Sequence, residues 1–411
     1  MTYLLKNAQL LDAEHNHAPL DVLIDGTTIA AVGTDLSSVD QVIDLSGYTI
    51  LPGFVDAHVH VAVDDRAFNE DAVRAWAYNG VTTVRELGML STLSQQDYAQ
   101  WIRKNNQKSD TAHVVATGKY IDVAGGYGAG PIPNHPVGNL ITNPAEAADA
   151  VTLAHNLGYP GIKIGIHDGS MEQTPHLTPD MAKAICTRAH ELGMWVAAHI
   201  GNCKGARFML DAGVDELAHT PADPMPEDMI REMVEKGIVM DTTVGDPDKG
   251  IEPPPMMDLP EGMDPPEGMG PPEGMGPPPG PMMPMDPAEM KRQQAEKMQV
   301  MEKNLGRFYR AGGKIVVGTD LIHSRDYRKD AVIPVAELRH LHAAGLPMNA
   351  ILRAATLSGD EVVGTGNIEG RIATGYLANL VAVPGKVDET FDALRQVKLV
   401  IHRGAIIRDE R

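Results

Sequence analysis

Cysteine is nearly absent from this chain. Its 411 residues include two, Cys186 and Cys203, too few for a disulfide framework. Aromatic residues make up only 4%, so a core has to be built from Val, Ile, Leu, Ala and Met. Positive charge is also short: 35 Lys and Arg face 55 Asp and Glu, a formal net charge of −20. That balance argues against nucleic acid or an anionic membrane as a partner, since both need a basic footprint. No apolar run approaches membrane-spanning length. The opening MTYLLKNAQLLDAEHNH lacks the apolar core and small-residue cleavage site of a secretory leader. The expectation is a soluble, cytoplasmic protein, with homo-oligomerisation left open.

What is present is apolar patterning, enough of it at 43% hydrophobic residues for more than one domain. Residues 3–50 alternate as strands do, and Asp25-Gly26 is a strong hairpin turn signal. Residues 371–383 and 397–408 return to that style, which predicts one small β-sandwich-like domain from both termini, 1–53 and 366–411. Between them, over 54–365, short apolar strands alternate with helical stretches such as 145–157, 179–192, 204–212, 226–236 and 289–311. Eight strands can be counted, in GFVDAHVH, GVTTVREL, AHVVATG, GIKIGI, MWVAAHI, VDELAH, GIVMDTTV and GKIVVGTD. Eight βα units favour an α/β fold of the closed (β/α)8 TIM-barrel type over an open doubly wound sheet. No Gly-x-Gly-x-x-Gly follows the first of these strands, so the dinucleotide fingerprint is missing.

One stretch breaks the rhythm. Residues 246–288 are crowded with Pro, Met and Gly and repeat PPEGMG at 265–270 and 271–276. Such a composition favours extended structure over a packed core. It follows the seventh strand, so it should leave at the catalytic face, as a surface insertion or as a lid. Thioether copper binding by Met257, Met263, Met269 and Met275 is a third reading, weakened because no Cys or His interleaves them.

The chemistry begins with Val55-Asp56-Ala57-His58-Val59-His60. Histidines at alternate positions of a strand point to one side, and imidazole is the commonest protein metal ligand. A solvated pair would look the same. The weight comes from Lys163, His199, His219 and Asp320, each at or just after the end of its own apolar run, where a β/α barrel collects its chemistry. A lone strand lysine is otherwise a core residue paired with a carboxylate or a Schiff-base nucleophile, and a lone strand-end Asp is often a helix cap.

The pattern resembles the amidohydrolase superfamily of metal-dependent hydrolases. LPGFVDAHVH, GVTTVRELG, GIKI, the AH of VAAHI, the LAH of VDELAHT, VGTD, LRAATLSGDEVVG and IEGRIATGYLANLVAV carry the resemblance over nearly the whole chain. The spacing is most similar to the imidazolonepropionase-like and prolidase-like branch. The resemblance implies that His58, His60 and Asp320 bind one divalent ion, expected to be zinc, and that His199 and His219 bind a second. It implies that Lys163, carboxylated by CO₂ to a carbamate, bridges the two, since an ammonium would repel them. A water between two metals is acidic enough to be hydroxide near neutral pH. Asp320 would take its proton and pass it to the leaving nitrogen. The implied reaction is hydrolysis of an amide C–N bond in a small molecule or dipeptide.

The chain departs from that branch in places. Gly-Gly-His after the third strand is here Gly125-Gly126-Tyr127-Gly128, and Tyr127 is a candidate donor to the carbonyl or oxyanion, or a turn tyrosine. His-x-His-Gly after the fifth strand is here His199-Ile200-Gly201-Asn202. Asn379 replaces an aspartate, a change read as structural, and Cys203 reads as packing. His167 and His323 follow the fourth and eighth strands and are candidates for substrate contact. The nearest rival is a mononuclear deaminase of the same superfamily, which would not need Lys163 and would want a glutamate near a later histidine. Glu216, three residues before His219, is poorly placed for that. A Schiff-base lyase using Lys163 is a further rival that leaves the histidines unused, and a non-enzymatic scaffold would be expected to have lost ligands.

Overall fold

The computed structural model describes every residue except 1, 38, 40, 63–67, 130–137, 167–173, 248–286, 323–330, 365 and 367. Most of the Pro/Met/Gly-rich stretch, its four methionines included, and also His167 and His323, therefore lie outside the described residues.

The eight expected central strands are all present: Phe54–His60, Val81–Glu86, His113–Ala116, Gly161–Gly165, Trp195–His199, Glu216–Leu217, Val239–Asp241 and Lys314–Val316. They pair in parallel, the first three in one run and the last five in another. The eighth strand returns to the first: Ala57 N–H donates to Val317 O at 2.8 Å, and Leu321 pairs with Val59. Between His113–Ala116 and Gly161–Gly165 no ladder occurs among the described residues.

The intervening helices begin and end where local chemistry dictates. Thr178 caps Pro179–Glu191 by accepting from Met181 N–H, and Asn143 caps Pro144–Leu157 in the same way from Ala145 and Glu146. Gly158, Gly213 and Gly237 end their helices in the left-handed conformation. One core cluster joins Phe54, Trp76, Ile162, Val196, Leu217, Met240 and Ile315 across strands and helices. It is mainly aliphatic, as the shortage of aromatics requires.

Strands from both ends of the chain share one eight-stranded sheet. Its path runs Ala405–Asp409, Leu399–His402, Leu380–Pro384, Tyr48–Pro52, Thr2–Leu11, Asn16–Asp25 and Thr28–Gly33, with Val42–Asp44 also on Thr2–Leu11. The Asp25-Gly26 hairpin forms where expected, and a separate cluster of Tyr3, Leu5, Leu10, Val22, Ile24, Ile50, Leu380 and Leu399 backs the sheet. The strand expected from 371 is shorter, beginning only at Leu380. Upstream, Gly375 turns the chain at a φ of 89°, and Ile372 N–H is drawn off to the Asp12 carboxylate at 3.2 Å. Asn379 is structural, its Oδ1 accepting from Arg403 N–H at 2.7 Å. No described helix is long and apolar enough to cross a membrane.

Candidate metal centre

The sequence FVDAHVH folds as a strand buried along its whole length, both histidines included. His58 Nδ1 lies 2.9 Å from Ala218 O and His60 Nδ1 lies 2.8 Å from Gly88 O. A backbone carbonyl only accepts, so each Nδ1 carries the proton and each Nε2 presents a lone pair. Burial, helped by the Lys163 charge, pushes the His58 pKa well below the usual imidazole value and keeps the ring neutral. Both Nε2 atoms converge on Asp320 Oδ1, at 3.3 Å from His58 and 3.0 Å from His60.

Asp320 reaches this point by an irregular route. The eighth strand stops at Val316, and Asp320 follows at a φ of 52°, a conformation Asp tolerates better than most residues. His58 O accepts from both Thr319 and Asp320 N–H, at 3.2 and 2.8 Å, and this ties the loop to the histidine strand. Burial raises the Asp320 pKa, but the imidazoles of His58, His219 and His60 outweigh it and hold the carboxyl well below its ordinary range.

Lys163 is the middle residue of Gly161–Gly165, so it sits within its strand where the sequence suggested a strand end. Its side chain is fully buried, with Nζ 3.5 Å from His58 Nε2. Burial pushes its pKa down to about 8. A Cβ on Gly165 would lie 2.8 Å from Tyr127 Cδ1, so this strand is lean because rings press against it.

His199 ends the fifth strand, and His219 stands two residues past the sixth. His199 Nδ1 and His219 Nε2 are 2.7 Å apart, while His219 Nδ1 lies 2.8 Å from Thr243 Oγ1. Tyr127, in a short 3₁₀ turn, stacks on His199 with ring centroids 3.7 Å apart. Ligand atoms of His58, His219 and Asp320 all lie within 4.8 Å of one another. Of the six residues expected as ligands, His58, His219 and Asp320 thus form one group, with His60 against Asp320, His199 against His219 and Lys163 against His58, and imidazoles with a carboxylate are a donor set suited to a divalent cation.

Several charged residues around this cluster, Asp56, Asp241 and Arg85, were not singled out from the sequence, and Glu216 was weighed there only as a deaminase glutamate. Asp56 accepts from Thr319 N–H and Oγ1 and braces the Asp320 loop. Asp241 is buried with Oδ2 3.4 Å from His58 Nδ1, and neither of its oxygens takes a hydrogen bond among the described residues. Burial and the Glu216 carboxylate push its pKa well above the usual carboxylate value. Such an orphaned acceptor beside a metal-type histidine is the outer support commonly found at metal sites. Arg85 donates from Nη1 to Glu216 Oε2 at 2.8 Å, from Nη2 to Oε1, and from Nε to Ala57 O at 2.7 Å. The sequence signal for these was charge inside an apolar run, Arg85 and Glu86 in GVTTVREL and Asp215 and Glu216 in VDELAH. Tyr120 is also buried here, and burial together with nearby Tyr127, Asp320 and Glu86 pushes its phenol well above the ordinary value, so it stays a proton donor.

The Amidohydrolase family profile matches residues 49–407. The chain belongs to the amidohydrolase family. A dihydroorotase of Lactobacillus johnsonii is 34% identical over 122 residues, 29% of this chain and 28% of that protein. The matched segment thus spans less than a third of that curated relative. Among solved structures, a Xaa-Pro dipeptidase with bound methionine superposes with a TM-score of 0.73 at 22% identity, covering 99% of this chain and 100% of that one. Aspergillus niger ochratoxinase superposes with a TM-score of 0.73 at 18% identity, covering 99% and 96%. At these identities the likeness is one of fold, and it extends over the chain from end to end.

Proposed function

We propose that this amidohydrolase is a binuclear metal-dependent hydrolase that cleaves an amide C–N bond in a small molecule or dipeptide. The observation that carries the proposal is the cluster of His58, His219 and Asp320, with His60 against Asp320, His199 against His219 and the buried Lys163 against His58. In this reading His58, His60 and Asp320 hold one divalent ion, His199 and His219 the other, and Lys163 bridges them. Two zinc ions would supply an acidified water and a Lewis acid for the substrate carbonyl.

The chain's own groups do the rest. Lys163 in its neutral form adds CO₂ at Nζ and releases one proton, which turns a group that repels cations into an anionic ligand. Asp320, already ionised, receives the proton of the attacking water on its carboxylate and returns it to the leaving nitrogen. Tyr127, His167 and His323 are proposed to contact substrate. The architecture proposed with this function is a closed (β/α)8 barrel over 54–365, with a small β-domain from 1–53 and 366–411, working in the cytoplasm.

The glutamate that a mononuclear deaminase would need is unfavourably engaged, since both oxygens of Glu216 face the Arg85 guanidinium. Elemental analysis of gently purified protein tests the proposal, together with a hydrolysis screen of Xaa-Pro dipeptides, N-acyl amino acids and cyclic amides. Two ions per chain and turnover of one such class are expected. Full activity with one ion or none would overturn the binuclear reading, and ammonia release from an amino-heterocycle would favour the deaminase.

A further inference from the structure

Tyr120 follows the third central strand, where the bridge between Met89 and Lys119 fixes the chain's course. Its ring is almost wholly buried, at 1% exposure, and it is built into the wall of the metal centre. On one side lies Gly88, whose φ is 106°, and a Cβ there would fall 2.0 Å from Tyr120 Cε2. Gly88 is the residue whose carbonyl holds His60 Nδ1. On another side Tyr127 meets the ring edge-on at 5.7 Å, and Tyr127 in turn stacks on His199. Lys163 Nζ lies 6.0 Å from the ring centroid. A single tyrosine therefore packs against the neighbours of His60 and His199 and has the Lys163 amine over its ring.

No side-chain hydrogen bond of the Tyr120 hydroxyl is seen among the described residues, and its oxygen is not one of the sealed side-chain atoms left without a partner, so the packed ring does not wall it off. Buried tyrosine hydroxyls nearly always find one, because leaving the group unpaired costs free energy. Water can serve as that partner in the empty site, and a substrate oxygen can take its place. Tyr127 differs, since its ring is committed to stacking on His199. We infer that Tyr120 is a catalytic residue, its hydroxyl donating a hydrogen bond to the oxygen of the scissile carbonyl as that oxygen gains negative charge. The inference rests on the hydrolase reading above and adds a residue to it. A donor aimed at developing charge in a water-poor site stabilises the transition state more than the ground state.

Tyr120→Phe removes one oxygen and leaves the packed ring, so the fold and the metal content should survive. The probe is inorganic phosphate, a tetrahedral oxyanion, titrated calorimetrically into zinc-loaded wild type, Tyr120→Phe and Tyr127→Phe. Melting temperature and zinc content are measured on the same samples. Loss of one hydrogen bond to a charged acceptor should weaken phosphate binding about tenfold in Tyr120→Phe. On any amide that the wild type turns over, kcat should fall about a hundredfold. Unchanged phosphate affinity in Tyr120→Phe with zinc intact overturns the inference, as does a wild type that holds zinc but binds no phosphate. An effect confined to Tyr127→Phe assigns the donor to Tyr127 instead. A wild type that takes up no metal overturns the hydrolase reading itself, and phosphate affinity lost together with zinc would show Tyr120 to be a packing residue.

Discussion

Replacing Arg85 with methionine should be among the most damaging single changes outside the proposed metal ligands. The guanidinium is fully buried and its partner Glu216 nearly so, with side-chain exposures of 0% and 3%. Arg85 also holds Ala57 O, in the residue before His58, and lies 4.9 Å from the Trp195 ring centroid. Methionine of similar length would fill much of the volume but leave the Glu216 carboxylate with no countercharge. Removing one partner of such a buried pair costs about 3–5 kcal/mol, far above the ~1 kcal/mol ceiling of exposed pairs. The double variant Arg85→Met with Glu216→Leu removes both charges and should recover most of the loss, because the desolvation penalty leaves with them. Equilibrium urea unfolding of metal-free protein measures this, with an unchanged slope showing that the unfolded state is not what moved. A single variant within about 1 kcal/mol of wild type would show that solvent reaches the pair. A double variant no more stable than the single would refute the buried-charge account.

Other expectations concern the centre. Only a neutral amine adds CO₂, and with Lys163 at about 8 roughly a tenth of it is neutral at pH 7. At fixed dissolved CO₂, recovery of activity in metal-stripped protein given zinc should therefore accelerate as pH rises through about 8 and then level off. Equal rates at pH about 6.5 and about 9 would count against a burial-tuned lysine. Lys163→Ala should lose both bound metal and activity, checked by elemental analysis, with partial rescue by short carboxylic acids. Asp320→Asn should keep its metals yet lose about 10²–10⁴-fold in kcat, since an amide cannot carry the proton. Chelation should lower the melting temperature reversibly, and metal at a hundred times its Kd should restore about 2.7 kcal/mol.

Much of this arrangement was legible in the chain because it is local. The central strands are short apolar runs, four of the eight ending in Gly, His or Asp, and the helices carry their own Thr, Asn, Pro and Gly punctuation. His58 and His60 declared themselves by spacing, and Lys163 by being the one charge in GIKIG. What stayed hidden depends on pairs that only the fold makes. Arg85 and Glu216 are 131 residues apart, and either alone reads as a stray charge. Tyr120 looks like any strand-end tyrosine until Gly88 is seen to make room for its ring. The irregular approach of Asp320 was invisible too, because it is set by bonds to His58 O, 262 positions earlier for its own N–H.

The sheet that joins the two ends of the chain has a consequence for biosynthesis. Tyr3 donates its hydroxyl proton to Gly404 O at 2.8 Å, across 401 residues of sequence. The strands Thr2–Leu11 to Thr28–Gly33 leave the ribosome first, yet Tyr48–Pro52, which pairs with Thr2–Leu11 on one side, gains its other partner only when Leu380–Pro384 has been made. At about 5–20 residues per second that interval is on the order of tens of seconds. For that time the nascent chain carries an unfinished β-edge, with apolar residues such as Ile50 uncovered, beside a central body that can already be assembling. An edge of that kind recruits other strands readily. The last thirty or so residues therefore act as a closing clasp on the nascent chain, and demand on chaperones should be greatest just before they are synthesised.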